Sequence, residues 1–303
     1  MHHRPAQTIT LTLGLLIMFA PLLSACSNLA LQALNTPSYL FSDLELTRDI
    51  AYGEAEHQRL DLYLPASDAP EKNALVVFVY GGSWTSGNKE AYYFVADALT
   101  QRGYAVAIPD YIKYPADTFP AFVEDIALAV AWLSENAALY NEQTATFLMG
   151  HSAGAHTTAL LVTDPTYLGR HDLSPEGIAG YVGLAGPYSF KPKEQKFRDI
   201  FANLEDFSQM RPLHFVSGSE PPMLLLHGDK DTTVLTTNTQ QFSSKVNDMG
   251  GEATGIFYPS LGHVDIVLSF SRVVDRDDTV LNDILLFLEK SHHESASVND
   301  TQS

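Results

Sequence analysis

From residue 44 onward the chain carries eight short runs dense in apolar, β-branched and aromatic residues: LELTRDIAY, RLDLYLP, ALVVFVY, YAVAIPD, TATFLMG, GIAGYVGLA, PMLLLHG and ATGIFYP. ALVVFVY and PMLLLHG are apolar without alternation, as a parallel strand covered by helices on both faces requires. The first two runs predict an antiparallel hairpin, and the later ones predict an open, mostly parallel sheet. Between them, KEAYYFVADALTQRG, FVEDIALAVAWLSENAALY, SAGAHTTALLV and TTNTQQFSSKVNDMGG repeat apolar residues at spacings of three and four, and the first and last end in glycine. These read as crossover helices, so the expected class is α/β, a mostly parallel central sheet with helices on both faces. The stretch from Pro187 to Pro222 is less regular and reads equally as a lid or a connector. The polar SHHESASVNDTQS from Ser291 reads as a flexible tail.

The composition supports a real core. Of 303 residues, 45% are hydrophobic and 18% charged, unlike a disordered chain. One catalytic domain over 44–290 fits this length. Thirty-six acidic against eighteen basic residues give a formal charge of -18, which opposes phosphate backbones and excludes nucleic acid as a partner.

The first residues have a different character. MHHRPAQ carries Arg4 and no acid, and the apolar TITLTLGLLIMFAPLLSA that follows ends in small residues, the layout of a secretory signal. Leu23, Ser24, Ala25 and Cys26 resemble the bacterial lipobox, in which cleavage precedes a cysteine that carries a diacylglycerol. That resemblance implies a signal over 1–25, a lipidated N-terminus and tether over 26–43, and a membrane partner through the lipid. Ser27 at the next position is similar to lipoproteins sorted to an outer membrane, so the expected location is the bacterial cell envelope, facing the periplasm. With Cys26 as its single cysteine the chain can form no internal disulfide.

Candidate chemistry gathers at the ends of the later runs. GHSAG at 150–154 follows TATFLMG and precedes AHTTALLV, the strand-to-helix setting of a nucleophile elbow, which makes Ser152 the candidate nucleophile. A serine hydroxyl needs a base at neutral pH. Of eleven histidines, His263 in PSLGHVDIV is placed to supply it; His151 and His156 flank Ser152 too closely along the chain. LLLHGDKDTTV offers Asp231 as the carboxylate that orients the imidazole, with Asp229 or Asp265 as alternatives and His227 as a structural residue. YGGSW at 80–84 brings backbone N–H groups of Gly82 and Ser83 toward a developing oxyanion, together with that of Ala153. Trp84, Tyr188 and Phe190 read equally as walls of a substrate pocket and as core. The sequence lacks HExxH, paired Cys/His metal spacings and a phosphate loop, so neither metal nor organic cofactor is expected.

Taken in order, YGGSW, DYIKYPADTFPAFVED, GHSAGAH, HGDKD and GHVD resemble the α/β-hydrolase fold carboxylesterases that include isoprenylcysteine methylesterase-like, kynurenine formamidase-like and feruloyl-esterase-like enzymes. The resemblance spans about 75–270. It implies cofactor-free acyl transfer from a small-molecule ester through Ser152, Asp231 and His263, with an arylformamidase or a non-catalytic envelope lipoprotein as rival readings. One departure is Tyr80, where the family usually has histidine, and it bears on the shape of the oxyanion loop. The oligomeric state is not legible.

Overall fold

A computed structural model describes residues 34–67, 72–141, 145–274 and 279–302; the signal and Cys26 lie outside them. All eight apolar runs are strands: β1 (Glu45–Ala51), β2 (Arg59–Leu64), β3 (Ala74–Val79), β4 (Ala105–Pro109), β5 (Ala145–His151), β6 (Gly180–Leu184), β7 (Met223–Gly228) and β8 (Ala253–Tyr258). They form one sheet in the order β1-β2-β4-β3-β5-β6-β7-β8. β1 pairs antiparallel with β2, as the hairpin reading predicts, and β2 antiparallel with β4, while the remaining pairs are parallel. Every residue of β3 and β7 is buried, whereas the edge strands β1 and β8 are partly wet. Continuous apolar runs therefore mark the strands covered on both faces.

The helices are α1 (residues 34–41), α2 (Tyr93–Thr100), α3 (Ala121–Glu135), α4 (Ala153–Thr163), α5 (Pro165–Gly169), α6 (Gln195–Ile200), α7 (Pro212–Phe215), α8 (Thr237–Asp248), α9 (Asp265–Leu268) and α10 (Thr279–Gln302). From β3 the chain crosses to β4 on one side and returns to β5 on the other. This reversal opens a crevice above the carboxyl ends of β3 and β5, where ligands of open α/β sheets bind. α4 is buried all round. Its threonines tolerate this because Thr157, Thr158 and Thr163 donate their hydroxyls to the carbonyls of Ala153, Gly154 and Ala159 at 2.8–3.0 Å.

Two expectations need correction. The segment read as a tether is helical over 34–41 and docks on the domain: the Asn35 amide donates to Glu90 O at 2.9 Å, and its oxygen accepts from Phe94 N at 3.1 Å. α2 begins without a cap from its own side chains, so Asn35 serves an orphan N–H across a gap of 59 residues. At the other end, the stretch read as a flexible tail continues α10 to Gln302. Val280, Leu281, Ile284 and Leu288 bury one stripe of that helix, and Lys72–Glu289 and Lys290–Glu252 ion pairs flank it at 2.8 and 2.7 Å. Residues 187–222, for which lid and connector both stand open in the sequence, are packed onto the domain. Ile200, Phe201 and Met210 are fully buried, and Ile200 O accepts from Phe119 N at 2.9 Å.

Candidate active site

The turn from β5 into α4 puts Ser152 at φ 55°, ψ -119°, a conformation that costs a non-glycine residue roughly 1–3 kcal/mol. Its backbone is pinned by donation of Ser152 N to Leu184 O at 2.9 Å. The turn depends on Gly154, whose added Cβ would lie 2.0 Å from Val79 O: helix and strand meet backbone to backbone there. The hydroxyl stands at the rim with 9% of the residue exposed.

The loop after β8 returns His263 to that hydroxyl. Nε2 is 2.8 Å from Ser152 Oγ, and Nδ1 is 2.7 Å from Asp231 Oδ2. A carboxylate only accepts, so Nδ1 carries the proton and Nε2 is free to accept from the serine hydroxyl. Asp231 is held on all sides. Its Oδ1 accepts from Thr233 N and Val234 N at 2.8 and 2.9 Å, and its Oδ2 also faces His227 Nε2 at 3.1 Å. His227 donates from Nε2 to Val234 O at 2.8 Å, and burial lowers its pKa, so it stands beside Asp231 as a neutral ring rather than an ion. The two alternative acids point elsewhere: Asp229 is exposed, and Asp265 accepts from Gly262 N at 2.7 Å.

Opposite the serine, the loop after β3 runs through consecutive positive φ values at Gly82 (130°), Ser83 (54°) and Trp84 (57°). Gly82 O accepts from Thr85 N and Ser86 N at 3.0 and 3.2 Å, closing the turn. A Cβ added to the preceding Gly81 would lie 2.9 Å from Ser152 Cβ, so this loop passes directly beside Ser152. Ala153 N is the first N–H of α4 and has no partner within the helix. Tyr80 anchors the loop from below. Its ring stacks between Tyr92 and Tyr111, its hydroxyl donates to Asp110, and Tyr111 donates to Tyr80 O at 3.0 Å. Tyr80 thus fixes the loop by stacking and one hydrogen bond from its hydroxyl.

The profile of the prolyl oligopeptidase family matches residues 121–293, more than half of the chain, and that of the BD-FAE family matches 60–169. The chain belongs to the prolyl oligopeptidase family. An isoprenylcysteine α-carbonyl methylesterase of Arabidopsis thaliana is 28% identical over 257 residues, covering 76% of this chain and 59% of that protein. A kynurenine formamidase of Danio rerio is 34% identical over 145 residues, 48% of this chain and 47% of the relative. The chain spans about 60% of the length of the methylesterase relatives. Among solved structures, an esterase B from Lactobacillus rhamnosis superposes with a TM-score of 0.74 at 17% identity, over 94% of this chain and 98% of that one, which shows the α/β-hydrolase fold.

Within this member of the prolyl oligopeptidase family, the two aromatic residues read as pocket walls lie inside the core. Tyr188 is fully buried, stacked on Phe242 at 4.5 Å, with its hydroxyl fitted against Gly183 of β6. Trp84 is 2% exposed among Phe122, Phe190, Phe201 and His156 at centroid distances of 5.0–5.9 Å. It braces the loop from inside. Of the three candidates, only Phe190 keeps a partly exposed ring. His156 donates from Nε2 to Met210 O at 2.6 Å and ties the segment 187–222 to α4; burial holds its pKa down to about 3. The bond from His151 to the backbone of His263 has no signal in the sequence. Adjacency to Ser152, which rules His151 out as a base, also drew attention away from any other use.

Proposed function

We propose that the protein is a serine carboxylesterase acting on a small-molecule ester through Ser152, His263 and Asp231. The observation that carries this is the unbroken chain Ser152 Oγ, His263 Nε2, His263 Nδ1, Asp231 Oδ2, with steps of 2.8 and 2.7 Å. Ser152 Oγ attacks the ester carbonyl while its proton passes to His263 Nε2; the carbonyl becomes an oxyanion facing the N–H groups of Gly82, Ser83 and Ala153. Collapse expels the alkoxide, which takes the proton from Nε2, and leaves an acyl-enzyme. Water, deprotonated by the same nitrogen, then releases the acid and restores the serine. Asp231 stabilises the imidazolium in both halves. Each oxyanion donor is worth about 10²- to 10³-fold in rate.

The methylesterase relative supports an ester as substrate, and the formamidase relative favours a second reading, an aryl formamide cleaved by the same groups. A panel of nitrophenyl esters of increasing acyl length beside N-formylkynurenine separates them: the esterase reading predicts a higher kcat/KM on a short ester, and the reverse ranking overturns it. The proposal for location is a diacylglycerol on Cys26 and a place on the cell envelope, supported by LSAC behind the apolar run. The mass of the mature N-terminus tests it.

A further inference from the structure

We propose that His151 is a positioning residue that joins three parts of the site, the nucleophile elbow, the base loop and the oxyanion loop. The proposal rests on the esterase reading and deepens it.

His151 is the last residue of β5, and its side chain points to the side from which the His263 loop arrives. Its Nε2 lies 2.9 Å from the backbone oxygen of His263. A carbonyl only accepts, so Nε2 carries the proton and donates, and Nδ1 is a bare acceptor. The two rings sit 5.1 Å apart at 40°. The opposite edge of His151 faces the oxyanion loop, since a Cβ on Gly81 would stand 3.1 Å from Nδ1 and 3.0 Å from the backbone oxygen of His151. One imidazole therefore touches the loop on one side, donates to the base residue's own backbone on the other, and is bonded through the chain to Ser152.

The loop that carries His263 needs such a tie. Val264 beside it is exposed, and the bonds that fix the loop around it include those donated by Gly262 N to Asp265 Oδ2, by Lys230 N to Leu261 O and by Leu261 N to Tyr258 O. The bond from His151 holds the backbone of His263, where Asp231 and Ser152 hold its ring, so together they set the height of the ring over Ser152. Among the described residues Nδ1 of His151 is buried without a hydrogen-bond partner. An apolar side chain would avoid that cost, which is about 1–3 kcal/mol for a buried polar atom left unpaired. A histidine here thus sacrifices stability for the N–H on its other edge. Burial also holds its pKa down to about 4, so the site gains a donor without a second positive charge beside the imidazolium that forms on His263. The titratable groups around His263 are Asp231 and His227 from β7 and the loop after it, His151 from β5, and Asp265 from α9, whose carboxylate accepts from Gly262 N.

The test compares His151→Leu, which removes the donor, with His151→Gln, whose amide nitrogen can occupy the place of Nε2. Labelling of the wild-type full chain by a fluorophosphonate comes first; absence of labelling and of ester turnover refutes the esterase reading itself. With an active wild type, His151→Leu should lower kcat by up to about 10²-fold, the cost of a misplaced reacting group, with KM little changed. The acidic limb of its kcat/KM profile should move to lower pH, because a displaced ring loses part of its contact with Asp231. His151→Gln should recover most of kcat and the original limb. Wild-type kcat and an unmoved limb in a folded His151→Leu chain overturn the proposal, as does a His151→Gln chain no better than His151→Leu in both readouts.

Discussion

His227 Nε2 lies 3.1 Å from Asp231 Oδ2, close enough for an ion pair, yet burial keeps the imidazole neutral. The contact is a close approach of a neutral ring whose single Nε2 proton is directed to Val234 O at 2.8 Å, so Asp231 keeps its full charge for His263. Removing it in His227→Leu leaves the Thr233 and Val234 amides on Asp231. The expected result is a drop of about 10-fold in kcat, equivalent to about 1.4 kcal/mol, read by steady-state kinetics. A loss as large as that of Asp231→Asn would give His227 a larger part.

The acid assignment has a sharper contrast. Asp231→Asn keeps the shape but favours the wrong tautomer of His263, and the comparable change in another triad costs about 10⁴-fold in kcat. A loss of about 10³- to 10⁴-fold is expected here, against little change for Asp229→Asn, since Asp229 is exposed. Equal losses in the two variants would reopen the assignment.

Acid should destabilise the fold through its buried neutral histidines. His151 and His156 have folded pKa values lowered to about 4 and about 3, below the unfolded value of about 6.5. The unfolded chain therefore binds more protons across this window, and stability present above pH 6.5 is lost as pH falls toward 4 and then 3. Each group contributes a slope of up to about 1.4 kcal/mol per pH unit. Denaturant melts across pH 4–7 should show a smaller slope for His156→Leu than for the wild type; parallel curves would contradict the assignment.

Gly154→Ala tests the elbow as a structural device. The added methyl meets Val79 O at 2.0 Å and Tyr80 O at 2.6 Å, both backbone atoms. A loss of at least about 2 kcal/mol is expected, with Ser152 displaced. An unchanged melting curve would show that helix and strand can separate there.

Much of this was legible in the residues. ALVVFVY and PMLLLHG announced central strands because a strand buried on both faces has no reason to alternate, and Ser152, Asp231 and His263 were legible because each follows a strand whose carboxyl end shares one rim. The amide of Asn35 was not legible as a cap, because it serves a helix start 59 residues away and no local pattern records the pairing. Tyr188 reads equally as wall and as core for a related reason: its place depends on the gap left by Gly183 on a neighbouring strand. The end of α10 was misread because polarity alone marked a tail, while the stripe of Val280, Leu281, Ile284 and Leu288 had already started the helix. His151 was passed over because chain adjacency to Ser152 says nothing about which distant carbonyl its ring will meet.

The central claim is that Ser152 is made reactive by His263. It is tested most directly by reacting the full chain with a fluorophosphonate and locating the adduct by peptide mass, beside the same reaction on His263→Ala. The account predicts one adduct per chain, on Ser152, formed about 10³-fold or more slowly when His263 is absent. An adduct on another residue, or equal labelling rates for the two chains, would contradict it.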